Sequence, residues 1–404
     1  MNRNITLLSI AQTTIEPGLR SISSYLKRAG FEVNIIFLKI RFEKTVPQAV
    51  IEQIAKLASD SLFIGVSLMT HEFLIAKYLT QKLKKYTAIP IVWGGSHPTT
   101  RPEECLKYCD FVCIGEGELT ALELADRLHK KEDCSEIPGL WGKNGDKIKR
   151  NPIGPLIENL DTLPFPDFSF DNHYILKDNN ISPATDREQQ KEIVTNYYAH
   201  FSQRGCPFSC TYCINHFFLR HFGASFHRKR SVDSMISELV EIKNRFDFVD
   251  SICFFADDFL STSYEDLLEF KKNYKAKVAL PFHINVTPGS VSEKKIRELA
   301  DIGLKDVSMG IQSGSPKTLK LYKRFTPREK ILKATQTLHN FRHKVTINYD
   351  FILDNPWETE EDLLETLSVL FEIPKPYKIL LYSLTLYPGT ELYYKAKNEN
   401  LIKR

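Results

Sequence analysis

Short, continuously apolar runs alternate with amphipathic stretches over the first 130 residues. The runs predict five strands, at residues 5–10, 31–38, 61–68, 89–95 and 110–118. Apolar residues at helical spacing predict helices at 18–29, 47–58, 72–86, 102–108 and 118–130. Strands that are apolar on both faces and separated by helices are typical of a parallel sheet covered on both sides. We therefore expect a doubly wound, Rossmann-like α/β domain over residues 1–130.

Glycines cluster where two of these predicted strands end. Gly94 and Gly95 follow the fourth strand, and Gly115 and Gly117 follow the fifth. The carboxyl ends of parallel strands form the ligand crevice of such sheets, and glycine lets the backbone approach a ligand closely. The pattern predicts a ligand site at this edge of the sheet.

Residues 131–190 show a weaker pattern. The stretch "IPGLWGKNGDKI" predicts a small hairpin around Asn144-Gly145. The stretch "NLDTLPFPDFSFDN" is rich in Pro and Asp, with aromatic residues between them. We interpret the segment as a linker that contains a small hairpin.

A second alternating series occupies residues 191–404. Its apolar runs predict six strands, at 195–202, 249–255, 282–286, 306–311, 345–353 and 378–387. The predicted helices lie at 231–246, 264–275, 292–302, 328–341, 359–372 and 390–400. Six strands in such a series predict a partial (βα)6 barrel of the TIM type. In barrel folds the chemistry lies on the loops that leave the carboxyl ends of the strands.

Composition narrows the class of partner and the compartment. The 404 residues carry 54 Lys and Arg against 50 Asp and Glu, and the basic residues are spread along the chain. This distribution predicts neither a nucleic-acid partner nor a membrane patch. We find no apolar run of the roughly 18 residues that a membrane span requires. Eight cysteines, three of them bunched, favour metal ligands in a reducing cytoplasm over a disulfide framework.

The bunched cysteines lie in "RGCPFSCTYC", on the loop that leaves the first barrel strand. Cys206, Cys210 and Cys213 have the spacing C-x3-C-x2-C. Three thiolates can each take one iron of a cubane cluster, which leaves the fourth iron open. A Cys3His zinc site that includes His216 is one alternative, and three unrelated buried cysteines are another. The spacing and the barrel context favour the cluster.

This loop, with the aromatic Tyr212 before its last cysteine, resembles the radical S-adenosylmethionine superfamily. The resemblance implies a [4Fe–4S] cluster on the three cysteines, with S-adenosylmethionine chelating the open iron. It further implies that one-electron reduction cleaves S-adenosylmethionine to a 5′-deoxyadenosyl radical. The electron would come from a donor of the flavodoxin or ferredoxin type.

The same resemblance assigns contacts to S-adenosylmethionine along the barrel. Asp257 and Asp258, in "FFADDF", stand where the superfamily contacts the methionine amine, and either could act. The resemblance implies ribose contacts from Gln312 and Ser313, and a carboxylate contact from Arg324. The segment "YDFILDNPWET" resembles the one that flanks adenine, with Asp350 and Asp354 replacing two glycines.

The N-terminal stretches "EPGLRSISSYLKRAGFEV", "IVWGGSHPTTRPEE" and "DFVCIGEGELTALEL" resemble the cobalamin-binding domain that precedes the barrel in one branch of this superfamily. The resemblance implies that the cofactor's nucleotide tail lies near Gly94, Gly95, His97 and the Gly115–Gly117 loop. It further implies a lower ring face lined by Ser67, Leu68 or Met69.

The first loop reads "SIAQTTIEPG" and lacks the D-x-H-x-x-G histidine of other cobalamin proteins. We therefore expect cobalamin to bind without a histidine ligand, with His71 unbonded to cobalt. A degenerate domain that binds no cobalamin is the alternative.

Together these implications favour a cobalamin-dependent radical enzyme that C-methylates an unactivated carbon. Two alternatives stay open: a cobalamin-dependent radical cyclase or rearrangement enzyme, and a non-catalytic cobalamin-binding protein with a vestigial barrel. The organic substrate is open among small metabolites, lipids and peptides, and no residue is assigned to it. Almost nothing follows the sixth predicted strand, so the pocket is expected to be open, closed by a partner, or completed by further chain.

Overall fold

The structure of the protein is a computed structural model that describes residues 3–40, 45–145 and 147–402. The chain forms two compact units. The first comprises Met1–Glu158 with Thr162–Thr195, and the second comprises Asn159–Asp161 with Asn196–Arg404.

The first unit is built on one nine-stranded sheet, in the order β7-β6-β5-β4-β3-β1-β2-β8-β9. Its strands are β1 (Asn4–Ser9), β2 (Glu32–Phe37), β3 (Ser61–Ser67), β4 (Ile91–Gly94), β5 (Phe111–Cys113), β6 (Leu140–Asn144), β7 (Lys147–Lys149), β8 (His173–Lys177) and β9 (Asn180–Pro183). The six strands from β5 to β8 in this order are parallel, while β6, β7 and β9 are each joined to the preceding strand by antiparallel pairing. The predicted doubly wound sheet is confirmed.

Helices cover both faces of this sheet. They are α1 (Pro17–Arg28), α2 (Gln48–Leu57), α3 (Phe73–Leu83), α4 (Ser96–Thr100), α5 (Pro102–Cys105), α6 (Glu118–Lys130) and α7 (Arg187–Val194). Apolar residues of α2 and α3 pack with Ile64 and Trp93 in a fully buried core. The other face, with Ile5 and Ile35, lies beneath α1 and α6. Burial on both faces explains why these strands are apolar throughout.

The interpretation of residues 131–190 as a linker with one hairpin is corrected by the structure. The hairpin exists as β6 and β7, but it extends the sheet at β5. The segment also supplies β8 and β9, which extend the opposite edge beside β2. The sequences HYILK, in the strand next to the edge, and NISP, in the edge strand, mix polar and apolar residues and so lack the apolar signal of the central strands.

The second unit contains a six-stranded parallel sheet in the order β10-β13-β14-β15-β16-β17. The sheet strands are β10 (Tyr197–His200), β13 (Ser251–Phe254), β14 (Phe282–Val286), β15 (Leu304–Gln312), β16 (Thr346–Leu353) and β17 (Lys378–Ser383). A separate two-stranded hairpin is formed by β11 (Gln203–Arg204) and β12 (Arg228–Lys229). The six sheet strands are those that the sequence predicts, so the partial (βα)6 barrel is confirmed.

Eight helices accompany this sheet in the described residues. They are α8 (Asn215–Phe222), α9 (Val232–Arg245), α10 (Tyr264–Lys277), α11 (Glu293–Ala300), α12 (Pro316–Leu321), α13 (Arg328–His339), α14 (Glu360–Glu372) and α15 (Glu391–Asn398). The short helices α8 and α12 were not predicted, and both lie beside the cysteine loop.

No helix within residues 3–40, 45–145 and 147–402 combines the length and the apolar character needed to cross a membrane.

Candidate functional site

The three-cysteine loop begins at the carboxyl end of β10 and is closed by the β11–β12 hairpin. Gly205, directly before Cys206, has φ of +77°. A Cβ atom there would lie 2.3 Å from the carbonyl oxygen of Phe226, so only glycine fits. Thr211, within the loop, donates its hydroxyl to the carbonyl of Leu321 at 2.7 Å, and its own carbonyl accepts from Leu392 N–H at 3.1 Å. The loop is therefore held at Gly205 and at Thr211.

The three thiols are held on one short stretch but do not converge on a point. Cys206 and Cys210 are buried and Cys213 is half-buried. Within the described part of the chain, no three His, Cys, Asp or Glu side chains are placed to hold a single metal ion. His216 Nε2 lies 3.5 Å from Glu391, so the Cys3His zinc alternative gains no support. A cubane gives each thiolate a different iron, and the donor set fits that group.

Burial raises the pKa of the Cys213 thiol to about 11, with Asp257 adding to the rise. The Cys213 thiol is thus protonated near neutral pH in the metal-free protein, and binding of iron must release its proton. Tyr212, between the last two cysteines, packs edge-on against Tyr322 at 5.0 Å between ring centroids. Its ring supports the loop from the α12 side.

Arg324 connects the cysteine loop to the end of β15. Its Nη1 lies 3.9 Å from Cys210 Sγ, and its Nη2 donates to the carbonyl of Gly310 at 2.6 Å. A fixed guanidinium beside three thiolates fits a negatively charged cluster and the carboxylate of an amino acid. The structure places Arg324 beside Cys210, while its predicted contact with S-adenosylmethionine stays a prediction.

The two adjacent aspartates after β13 have different surroundings. Asp258 is 1% exposed, and its carboxylate accepts hydrogen bonds from Thr287 and Ser290, both at 2.7 Å. Asp257 is exposed and accepts a hydrogen bond from Asn215 at 3.2 Å, at the start of α8. The carboxylate with free capacity beside the cysteine loop is therefore Asp257, whereas Asp258 anchors the loop after β14.

Gln312 and Ser313 are both predicted to contact the ribose, but the structure gives them different environments. Gln312 is half-buried with φ of +74°, and its amide occupies the space that a Cβ at Gly310 would fill. Strained backbone of this kind is found where a side chain must be aimed. Ser313 is fully buried, and its hydroxyl contacts Thr366 at 3.1 Å and Glu358 at 3.3 Å. Ser313 thus serves internal packing, and Gln312 is the better candidate.

Asp350 lies on β16 in register with Gly310. Its Oδ1 is buried without a hydrogen-bond partner among the described residues, and burial raises its pKa to about 6. A buried oxygen without a partner is costly unless a ligand supplies a donor. Asp354, the second replacement of a family glycine, does adopt the left-handed conformation, with φ of +59°.

Some of the glycines predicted to lie near the ligand of the first unit are needed for the protein's own packing. A Cβ at Gly95 would lie 2.5 Å from the Leu68 carbonyl oxygen, and one at Gly117 would lie 2.6 Å from the Ile22 side chain. These two glycines allow close packing of neighbouring loops and helices. Gly94 meets only Cys113 at an ordinary 3.7 Å, and Gly115 has φ of +86°.

Among the other residues predicted to contact cobalamin, some are more accessible and some belong to the protein core. Leu68 is 1% exposed and belongs to the core, whereas Ser67 is half-buried and Met69 is exposed. His97 is buried, its Nδ1 lies 3.2 Å from the Thr70 hydroxyl, and its Nε2 has no partner among the described residues. Burial lowers the pKa of His97, so the imidazole is neutral. An unpaired neutral ring nitrogen at this sheet edge fits a polar ligand.

His71 does not point to a metal-binding role in this structure. Its side chain is 55% exposed, and its Nε2 lies 3.5 Å from a carboxylate oxygen of Glu72. The absence of a cobalt bond to His71 stays a prediction.

Sequence reasoning missed a carboxylate pair at the carboxyl edge of β1 and β3. Glu16 accepts a hydrogen bond from Ser9 at 3.0 Å and has φ of +36°. Glu72 accepts from the Met69 N–H at 2.7 Å. Burial raises the pKa of Glu16 to about 7, and the neighbouring Glu72 adds to this rise. The "EPG" preceding α1 was the available signal, but only the fold places Glu72 beside it.

Comparisons with known proteins agree with both units. A family model described as "B12 binding domain" matches residues 3–125, and one described as "Radical SAM superfamily" matches residues 201–370.

The chain also resembles curated proteins over most of its length. It is 28% identical to an uncharacterized methyltransferase of Pyrococcus horikoshii, over 77% of this chain and 64% of that protein. It is 24% identical to the bacteriochlorophyllide d C-12(1)-methyltransferase of Chlorobaculum tepidum, over 76% and 60%. It is 26% identical to the anaerobic magnesium-protoporphyrin IX monomethyl ester cyclase of Rubrivivax gelatinosus, over 85% and 60%. The chain thus matches less than two thirds of the length of these relatives.

Solved structures show the same fold. The methyltransferase TsrM from Kitasatospora setae, with cobalamin and a [4Fe–4S] cluster bound, aligns with a TM-score of 0.74 at 16% identity, over 99% of this chain and 75% of that one. The cobalamin-dependent radical enzyme OxsB aligns with a TM-score of 0.71 at 19% identity, over 99% and 56%.

Proposed function

Because the chain belongs to the radical S-adenosylmethionine proteins that carry a cobalamin-binding domain, we propose that it is a cobalamin-dependent radical methyltransferase acting on an unactivated carbon. The observation that carries the proposal is the intact cysteine loop, with Arg324 beside it, in one chain with a B12-binding domain. Three thiols with no fourth protein ligand among the described residues leave one iron free for a cosubstrate.

The proposed cofactors are a [4Fe–4S] cluster, S-adenosylmethionine and cobalamin. The cluster would be held by Cys206, Cys210 and Cys213, and cobalamin by the carboxyl edge of the first sheet around Gly94, His97 and Met69. When bound, the cluster and S-adenosylmethionine supply a 5′-deoxyadenosyl radical and cobalamin supplies a methyl group, a pairing suited to carbon without an acidic proton.

The protein's own residues bind and orient the ligands in this proposal. Asp257 presents an exposed carboxylate to the methionine ammonium, and Arg324 presents a fixed guanidinium to the methionine carboxylate. Gln312 reaches the ribose from the end of β15, and Asp350 accepts a hydrogen bond from a donor inside the barrel. Fixed partners of this kind reduce the entropy that the reaction would otherwise lose.

Cyclisation is the second candidate, because the similar Rubrivivax gelatinosus protein is named a cyclase. A non-catalytic protein is disfavoured, because a barrel without catalytic function does not require Gly205, the three thiols and Arg324. The proposal includes a one-electron donor protein, and the free cysteines favour a reducing cytoplasm.

The test is product analysis of the anaerobically reconstituted protein with hydroxocobalamin, titanium(III) citrate and S-adenosylmethionine. We expect both 5′-deoxyadenosine and S-adenosylhomocysteine. In Cys206→Ala we expect 5′-deoxyadenosine to be lost while S-adenosylhomocysteine remains, because only the former needs an electron from the cluster. A Cys206→Ala variant that still forms 5′-deoxyadenosine would refute the cluster assignment. Wild-type protein that binds cobalamin but forms no S-adenosylhomocysteine would favour the cyclase.

A further inference from the structure

The cysteine loop adjoins a positively charged surface that the chemistry above leaves unexplained. We define the cationic rim as Arg220 on α8 with Lys320 and Lys323 at the end of α12; all three side chains are exposed. Arg220 and Lys320 form no ion pair within residues 3–40, 45–145 and 147–402. Charges of one sign that are not neutralised locally create a field that attracts a partner of opposite sign.

Contacts through Glu391 place the members of the rim together. Lys323 Nζ lies 2.6 Å from a Glu391 carboxylate oxygen, and His216 Nε2 lies 3.5 Å from the same oxygen. Arg220 follows His216 by four residues on α8, so both occupy the same face of that helix. Lys320 lies one turn before Lys323, whose N–H donates to the Lys320 carbonyl at 3.1 Å.

The rim also lies where the cysteine loop comes nearest to solvent. Cys213, two residues before α8, is half-buried, whereas the other two thiols are buried. Phe208, at the tip of the loop, is 38% exposed. Arg324 follows Lys323 directly and lies 3.9 Å from Cys210 Sγ. A partner seated on the rim would therefore contact the protein shell that separates the cluster from water.

We propose that the cationic rim is the docking surface for an acidic one-electron carrier protein of the flavodoxin class. This inference rests on the proposed function, which needs an external electron for each cleavage of S-adenosylmethionine. The carrier is oxidised by one electron and the cluster is reduced by one electron, and no atom or proton is exchanged. The occupant is chosen by charge complementarity and by the position of the rim beside Cys213.

A second cluster of lysines offers a matched control. Lys305 and Lys344 line an open cavity at the amino ends of β15 and β16. The cysteine loop follows the carboxyl end of β10, and the strands are parallel, so this cavity lies at the opposite end of the barrel.

The experiment compares Arg220→Glu/Lys320→Glu with Lys305→Glu/Lys344→Glu in reconstituted full-length protein. Two readouts are measured with flavodoxin: the rate at which the reduced form bleaches the cluster absorbance, and the binding affinity of the oxidised form by calorimetry. We expect the rim variant to lose at least about tenfold in rate, as electrostatic steering predicts, and to lose the salt dependence of binding. We expect reduction by dithionite to be unchanged in both variants.

Each other outcome overturns the proposal. Loss in the Lys305/Lys344 variant alone would place the carrier at the other end of the barrel, and loss in neither would exclude charged docking at the rim. A rim variant that also fails with dithionite would show that these residues hold the cluster. Failure of the wild-type protein with dithionite would instead refute the proposed function.

Discussion

At the residue scale, the neighbouring carboxylates Asp257 and Asp258 have separable roles. In Asp258→Ala, Thr287 and Ser290 lose a buried acceptor, so we expect the free energy of unfolding to fall by about 1–3 kcal/mol. In Asp257→Ala we expect stability to change by less than about 0.5 kcal/mol, because the side chain is exposed. Affinity for S-adenosylmethionine should instead fall at least about tenfold. Urea unfolding and calorimetry measure the two effects, and the reverse assignment would contradict the account.

Glu16 gives a pH dependence to stability. Its pKa is about 7 in the folded protein and 4.5 ordinarily, so folding takes up a proton between those values. Stability from this group is present below about pH 4.5 and is lost as pH rises through 7. Glu16→Gln should remove this loss and be more stable than wild type at pH 8, by at most about 3 kcal/mol.

Thermal unfolding of the cofactor-free protein at pH 5 and pH 8 tests this prediction. Glu72 and Arg20 act electrostatically on the same carboxyl group, so both remain unchanged in the comparison. Equal stability of wild type and variant at pH 8 would show that Glu16 is ionised without cost.

His71 should not influence bound cobalamin. Its imidazole is exposed and faces Glu72, so His71→Ala should leave the visible spectrum of the cobalamin complex unchanged. A shift of the cobalt absorption bands in the variant would mean that the ring binds cobalt.

Sequence reasoning predicts proximity most directly where covalent spacing determines the geometry. Cys206, Cys210 and Cys213 share one short loop, so their proximity follows from the sequence. Ser313 and Leu68 were assigned to ligands because of their positions at strand ends, but the structure buries both. Whether a side chain at a strand end turns towards a ligand or towards a helix depends on neighbours distant in sequence, such as Thr366.

At the element scale, the cysteine loop depends on the approach of two backbone segments. Gly205→Ala would place a Cβ against the Phe226 carbonyl in addition to the cost of a positive φ. We expect this variant to lose most cluster binding after reconstitution while its far-ultraviolet circular dichroism is retained.

Gly223→Ala is the matched control for this prediction. Gly223 also has a positive φ, of +64°, but no atom lies within 4 Å of the position that an alanine Cβ would take there. Its ψ of −153° makes this conformation nearly exclusive to glycine, so the variant should lose about 1–3 kcal/mol of stability but bind the cluster normally. Equal cluster loss in both variants would attribute the effect to backbone conformation and not to the close approach.

The central strands could be predicted because burial on both faces makes them apolar, and all eleven predicted strands are present. The outer strands β8 and β9 could not, because only His173 and Ile175 among their residues are buried, which leaves no continuous apolar run. The short helices α8 and α12 were not predicted because six to eight residues give too few turns for a periodic pattern of apolar residues.

At the scale of the whole molecule, the chain combines a Rossmann-like unit and a partial barrel, each with its own candidate ligand edge. The first unit offers His97 with a free ring nitrogen, and the second offers three thiols beside Arg324. Neither feature alone distinguishes a methyltransferase from other members of the superfamily. The claim that both sites are occupied in one protein is therefore the central one.

The most direct test is metal analysis after anaerobic reconstitution with iron, sulfide and hydroxocobalamin, followed by desalting. We predict about four irons and one cobalt per chain, with iron lost and cobalt retained in Cys206→Ala. Iron without cobalt in the wild-type protein would contradict the account, because a radical enzyme without a methyl carrier cannot be the proposed methyltransferase.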